Sequence, residues 1–183
     1  MFKFLWGAAL YCYLILRFRY NEHLKDIWKW KAVTWKNMKP ILIRWVIASF
    51  AMLAFIYAID VERVFYLVKE RPQIVPFLLF LYPVLSALPQ EFIFCSFFFE
   101  RYKKFFPSEK IMILASAVVF AYAHVLFINW VAPTLSFIAG LIFAMTYAKT
   151  KSLALVTIEH GLYGNVLFLV GLGWYFYGGA VGQ

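Results

Sequence analysis

The sequence predicts an all-α membrane protein: a polytopic transmembrane helix bundle of about six spans around a buried polar site. Three observations carry this. Of 183 residues, 64% are hydrophobic and only 15% charged, far from the balance of a water-soluble domain of this length. The apolar residues fall in runs close to the roughly 20 that a helix needs to cross the hydrocarbon core. And three of those runs each hold an ionisable residue, Glu91, His124 and His160. A charge at mid-membrane costs roughly 2.5–3.5 kcal/mol on insertion scales, so such residues are expected to face a protein or water-filled interior.

The first run, Phe4 to Leu16, is 13 residues long, flanked by Lys3, Arg17 and Arg19. It reads as an uncleaved, signal-like anchor, since no small-residue cleavage site follows it. From Arg17 to Lys39 come seven basic and two acidic residues, with Trp28, Trp30 and Trp35. Lysine with tryptophan favours the headgroup layer, so this stretch is expected to lie at the interface. Ile41 to Ile59 is the next span, with Arg44 close enough to its start to snorkel back to the surface.

A charge-balanced loop, Asp60 to Arg71, leads to an apolar stretch from Ile74 to Phe99 that Pro76, Pro83 and Pro89 are expected to break. Arg101, Lys103, Lys104 and Lys110 follow. The remaining spans are Ile111 to Trp130, Pro133 to Ala148, and Leu153 to about Tyr177. No repeat or low-complexity linker divides the chain. It reads as a single membrane domain in two parts, with residues 1–71 holding the anchor, the interfacial segment and the second span, and residues 72–177 the core.

The net charge of +9 sits beside apolar spans, where it orients helices and meets anionic lipid. No nucleic acid is expected, because no basic face exists apart from a membrane segment. Counting positive charges puts residues 17–40, 101–110 and 149–151 in the cytoplasm, with 60–73, 129–133 and the C-terminus outside. The expected location is a bacterial cytoplasmic membrane. Cys12 and Cys95 lie in apolar runs and suggest neither a disulfide scaffold nor a metal motif.

Helical rise then places the ionisable residues at similar depths. Glu91 is roughly 15 Å from Arg101, His160 roughly 13–14 Å from Lys151, and His124 roughly 21 Å from Lys110. Helix tilt absorbs the difference, so the three can meet. A carboxylate and two imidazoles are what a hydrolase needs to activate water.

Each has a plainer reading. Glu91, third after a break at Pro89, could cap a helix end. His124, one turn from Phe120, could simply bond a backbone carbonyl. His160 could be structural, and Glu159, about 100° around the helix from it, an interhelical acid. Asn129 reads as an end cap. Gly161 and Gly164 leave room for a second helix to approach.

The motifs Gln90-Glu91-x-x-x-Cys95, Phe120-x-x-x-His124 and His160-x-x-x-Gly164-Asn165 come in order on three spans, with Phe-Phe-Phe-Glu-Arg-Tyr at 97–102 and Glu-His-Gly-Leu-Tyr-Gly at 159–164. Over about residues 72–175 they resemble the CAAX-protease and bacteriocin-processing family, the glutamate-type intramembrane endopeptidases also called type II prenyl-protein proteases. That family carries Glu-Glu-x-x-x-Arg, Phe-x-x-x-His, and a His with Asn four residues on. Here Gln90 stands in place of the first glutamate, Cys95 in place of the arginine and Gly164 in place of the asparagine, with Asn165 one residue late.

The resemblance implies a peptide hydrolase in which Glu91 acts as base with His124 while His160 polarises the scissile carbonyl. Gln90 would orient water or donate to the oxyanion; Glu159 and Asn165 are secondary candidates. The implied partners are membrane lipids and a peptide or protein substrate that can carry a lipid. No cofactor is expected; the alternative is Zn²⁺ held by Glu91, His124 and His160 with an open position for water. The rival function is a catalytically impaired scaffold, or a bacteriocin-immunity-like protein, of the same fold.

Overall fold

In the computed structural model, which describes residues 2–176, the chain is a bundle of helices. We number the long ones α1 (Phe2–Arg19), α2 (Trp35–Ile59), α3 (Pro72–Phe105), α4 (Glu109–Ala123), α5 (Val131–Thr150) and α6 (Leu153–Val170). Five of them, α2 to α6, are long and apolar enough to cross a membrane, counting α4 through to Phe127. The 18 residues of α1 include Lys3, Arg17 and Arg19, too many cations to join them on composition. It nevertheless lies along α3, burying Cys12 and Leu16 against Phe97.

The apolar stretch around Glu91 is not broken. Backbone angles stay right-handed helical across Pro83, Ala87, Leu88 and Glu91, and α3 runs on through two wide π-helical turns, Pro83–Ala87 and Phe92–Phe97. Each proline lacks an N–H and orphans the carbonyl four residues back, which in hydrocarbon costs several kcal/mol unless another donor reaches it. All three carbonyls find one. Val75 N–H meets Pro72 O, Asn165 Nδ2 donates to Leu79 O at 3.2 Å, and Trp6 Nε1 donates to Leu85 O at 3.0 Å. The helix survives its prolines because α1 and α6 lend it donors. Glu91 is therefore mid-helix and caps no helix end.

Three other boundaries differ from the expectation. Helix α2 starts at Trp35 and takes in part of the expected interfacial segment, carrying Pro40 within its first turns. Helix α4 stops at Ala123, so His124 sits at its C-terminal end, before a tight turn over Val125–Phe127. Helix α6 ends at Val170 because Gly171 takes a φ of +113°, the left-handed conformation that closes many helices. A Cβ there would collide with the Arg63 carbonyl. The expected end of that span, Tyr177, lies outside the described residues.

Arg44 does not snorkel. Its Nη2 donates to Glu159 at 2.7 Å and to Thr146 at 3.0 Å, tying α2 to α6 and α5. Trp45 Nε1 adds a bond to Leu162 O at 3.0 Å. Close helix approach does the rest: a Cβ on Gly140 of α5 would lie 3.1 Å from Ala117 of α4, and one on Gly161 of α6 would lie 3.0 Å from Pro83.

The connecting segments gather into two groups. Ser152 donates to Trp28 O at 2.9 Å, Lys151 pairs with Glu109 at 3.1 Å, and His23 lies 3.6 Å from Glu100. At the other end Tyr175 donates to Asp60 at 2.9 Å, and Asn129 donates to Tyr175 O at 2.9 Å while accepting from Ala132 N–H at 2.8 Å, capping α5.

Candidate functional site

A cavity of about 750 Å³ opens between the helices, walled by α2 to α6. Met52, Phe55, Leu78, Leu135, Ile142 and Leu167 make most of the wall apolar. Its polar groups include Tyr82, Ser86, Gln90, His124, Ser136 and His160.

Tyr82, Ser86 and Gln90 are spaced four residues apart on α3, and all line the cavity. Gln90 Nε2 donates to Ser86 Oγ at 2.8 Å, which leaves Gln90 Oε1 without a partner among the described residues. An amide oxygen there can accept from water but cannot take a proton from it.

Glu91 is the next residue round and lies behind the wall, 1% exposed. Its Oε1 accepts from His160 Nδ1 at 2.7 Å. That bond assigns the ring: with Nδ1–H given to Glu91, Nε2 accepts from the Tyr82 hydroxyl at 2.9 Å. His160 is further clamped by Phe143, stacked 4.6 Å away, and by the edge of Phe120 at 5.8 Å. Both partners of the Glu91–His160 pair are thus almost fully buried and fixed.

His124 Nδ1–H donates to the Phe120 carbonyl at 2.8 Å, the backbone bond that the plain reading anticipated. It commits one nitrogen only and leaves Nε2 as an acceptor on a side chain that lines the cavity. Phe120 lies between the two imidazoles, 4.7 Å from His124 by ring centroids. The Phe-x-x-x-His spacing therefore does two jobs, packing His160 and orienting His124.

The structure thus brings Gln90, His124 and His160 to one cavity and sets Glu91 directly behind His160. It takes Glu159 elsewhere, fully buried and paired with Arg44. Asn165 turns to the Leu79 carbonyl and serves the backbone of α3. Among the described residues no three His, Cys, Asp or Glu side chains are gathered closely enough to hold a metal ion. Tyr82 and Ser86 were missed in the sequence. Gly164 explains the first, because a Cβ at that position would collide with the Tyr82 ring and hydroxyl.

A helical bundle of this kind, with a buried carboxylate–imidazole pair beside a cavity between its helices, defines a polytopic integral membrane protein with buried polar residues. The chain belongs to the Rce1-like type II CAAX prenyl endopeptidase family, whose model matches residues 72–176, more than half of the sequence. Comparison with curated proteins and with solved structures finds no match.

Proposed function

We propose that the protein is an intramembrane endopeptidase that hydrolyses a peptide bond held in the cavity, using His124, His160 and Glu91. The observation that carries this is the Glu91–His160 bond at 2.7 Å in the wall of a cavity that His124 also lines. Stability does not account for it. Burying the carboxylate costs roughly 2.5–3.5 kcal/mol, against roughly 1.5–3 kcal/mol for one charged hydrogen bond. A pair that is neutral at best for folding is worth keeping for chemistry.

In this reading His124 Nε2 takes a proton from water, and the hydroxide attacks the scissile carbonyl carbon. Glu91 holds His160 in place, and the oriented ring stabilises the charge that develops on the carbonyl oxygen. When the C–N bond breaks, the departing amine takes the proton back from His124. Gln90 Oε1 helps to orient the water. The apolar wall suits a substrate bearing a lipid chain, and surrounding membrane lipid would deliver it. The basic segments 17–40, 101–110 and 149–151 would face the cytoplasm of a bacterial cell.

Gln90 favours a second reading, a non-catalytic scaffold of the same fold, since an amide faces the cavity where an acid would be the stronger base. The test is turnover of synthetic peptides, with and without a prenyl chain, by the protein in lipid vesicles, beside His124→Gln and Gln90→Glu variants and with a chelator added. Cleavage by wild type, unaffected by chelator and lost in His124→Gln, supports the endopeptidase. Inert wild type and inert Gln90→Glu support the scaffold.

A further inference from the structure

Helix α6 carries two glycines a turn apart, and each receives a residue of α3: Gly161 takes Pro83 and Gly164 takes Tyr82. The second contact is the more demanding. The Tyr82 ring lies where a side chain at position 164 would begin, and its edge meets Phe168 at 5.4 Å. This seat holds the phenol in one place, with its oxygen 2.9 Å from His160 Nε2 and its side chain on the cavity wall.

A hydroxyl has one proton to give and two lone pairs to receive with. While His160 is neutral, Tyr82 spends its proton on Nε2. When Nε2 itself carries a proton it becomes the donor to the phenol oxygen, and the phenol O–H is released to another acceptor. Gln90 Nε2, on the same wall, has one of its two N–H groups engaged by Ser86.

Building on the endopeptidase reading, we propose that Tyr82 is a further catalytic residue, seated against Gly164, whose hydroxyl donates to the carbonyl oxygen of the bound peptide when His160 is protonated. The hydrogen bond strengthens as that oxygen gains charge and weakens when the tetrahedral intermediate collapses, while Tyr82 and His160 each keep their own proton throughout. No proton is consumed.

The experiment compares wild type, Tyr82→Phe, Gly164→Asn and the double variant Tyr82→Ala/Gly164→Asn in lipid vesicles, reading kcat and KM on a peptide that wild type cleaves, together with Tm and the ¹⁵N spectrum of histidine-labelled protein. In Tyr82→Phe we expect kcat to fall about 10²–10³-fold with KM and Tm little changed, the scale of losing one oxyanion donor. The His160 Nε2 resonance should move to that of an unbonded nitrogen. Gly164→Asn should be poorly folded alone and recover Tm and part of kcat in the double variant, where the amide enters the emptied seat. Unchanged kcat in Tyr82→Phe overturns the role of Tyr82 and leaves the endopeptidase reading standing, as does a loss of kcat that merely tracks Tm. Wild type inert on every peptide overturns that reading, and the proposal with it.

Discussion

Glu91 and His160, 69 residues apart in the chain, meet at 2.7 Å between two helices, and neither is exposed by more than a few per cent. The carboxylate reaches the cavity only through the imidazole. In the endopeptidase reading Glu91 acts through His160 and does not touch what enters the cavity. Glu91→Gln should therefore keep the bond to Nδ1, because an amide oxygen still accepts, while removing the carboxylate from beside the ring. Turnover should drop about 10²–10⁴-fold while thermal stability holds or rises. A variant that cleaves at the wild-type rate would remove Glu91 from the chemistry.

Gln90→Glu should raise turnover by about tenfold, because it places a proton acceptor on the cavity wall where only an amide oxygen now sits. Glu91 does not oppose the new carboxylate directly, being engaged by His160 on the next face of the helix. Peptide cleavage across pH 6–9, run beside wild type, decides it; an equal or lower rate throughout would contradict the prediction.

Arg44→Met should destabilise the bundle by about 1–3 kcal/mol, because it leaves the fully buried Glu159 with no cation. The figure is below that of a wholly buried pair since the Arg44 side chain is 41% exposed. Arg44→Met/Glu159→Leu should regain most of the loss. Denaturant titration in mixed micelles reads both, and a double variant no better than the single would show that the ion pair is not what binds α2 to α6.

His23 sits between α1 and α2, hydrogen-bonded to Ser96 Oγ at 2.9 Å. Burial lowers its pKa below the ordinary 6.5 with help from Lys103 and Lys29, while Glu100 pulls the other way. The folded state thus resists the proton that the unfolded chain accepts. Stability from this group is whole above pH about 6.5 and falls as the pH drops below it toward the folded value. Thermal unfolding between pH 7.5 and 5 should show a decline that His23→Gln flattens. Parallel curves for the two proteins would contradict it.

Much of this was legible in the sequence because the membrane makes polarity expensive. Glu91 and His160 stood out as lone ionisable groups in apolar runs, and their shared depth followed from counting residues to the nearest cations. Phe120 and His124 announced a shared face. What could not be read was which way each side chain turns. Arg44 looked free to reach water, and only the packing of α2 on α6 reveals Glu159 beneath it. Prolines at 76, 83 and 89 signalled breaks, because the donors that rescue the helix, Trp6 and Asn165, come from 79 and 86 residues away. One clue was present and passed over. Tyr82, Ser86 and Gln90 recur every fourth residue of α3, and Gly164 makes room for the first of them.

The two π turns of α3 act as phase adjusters. In a regular α-helix each residue advances about 100°, so residues four apart slip by about 40° and those eight apart by about 80°. Tyr82 and Gln90 would then look in different directions. The wider turn over Pro83–Ala87 advances less per residue and takes up the slip, so that the hydroxyl, serine and amide come up in line. The turn also determines which of two neighbours, Gln90 or Glu91, faces inward. Geometry and composition are thereby coupled in a way no substitution can reproduce. Deleting one residue from that turn would swing the whole downstream half of α3 by about 100° and turn the amide away from the cavity while leaving Gln90 itself in the chain.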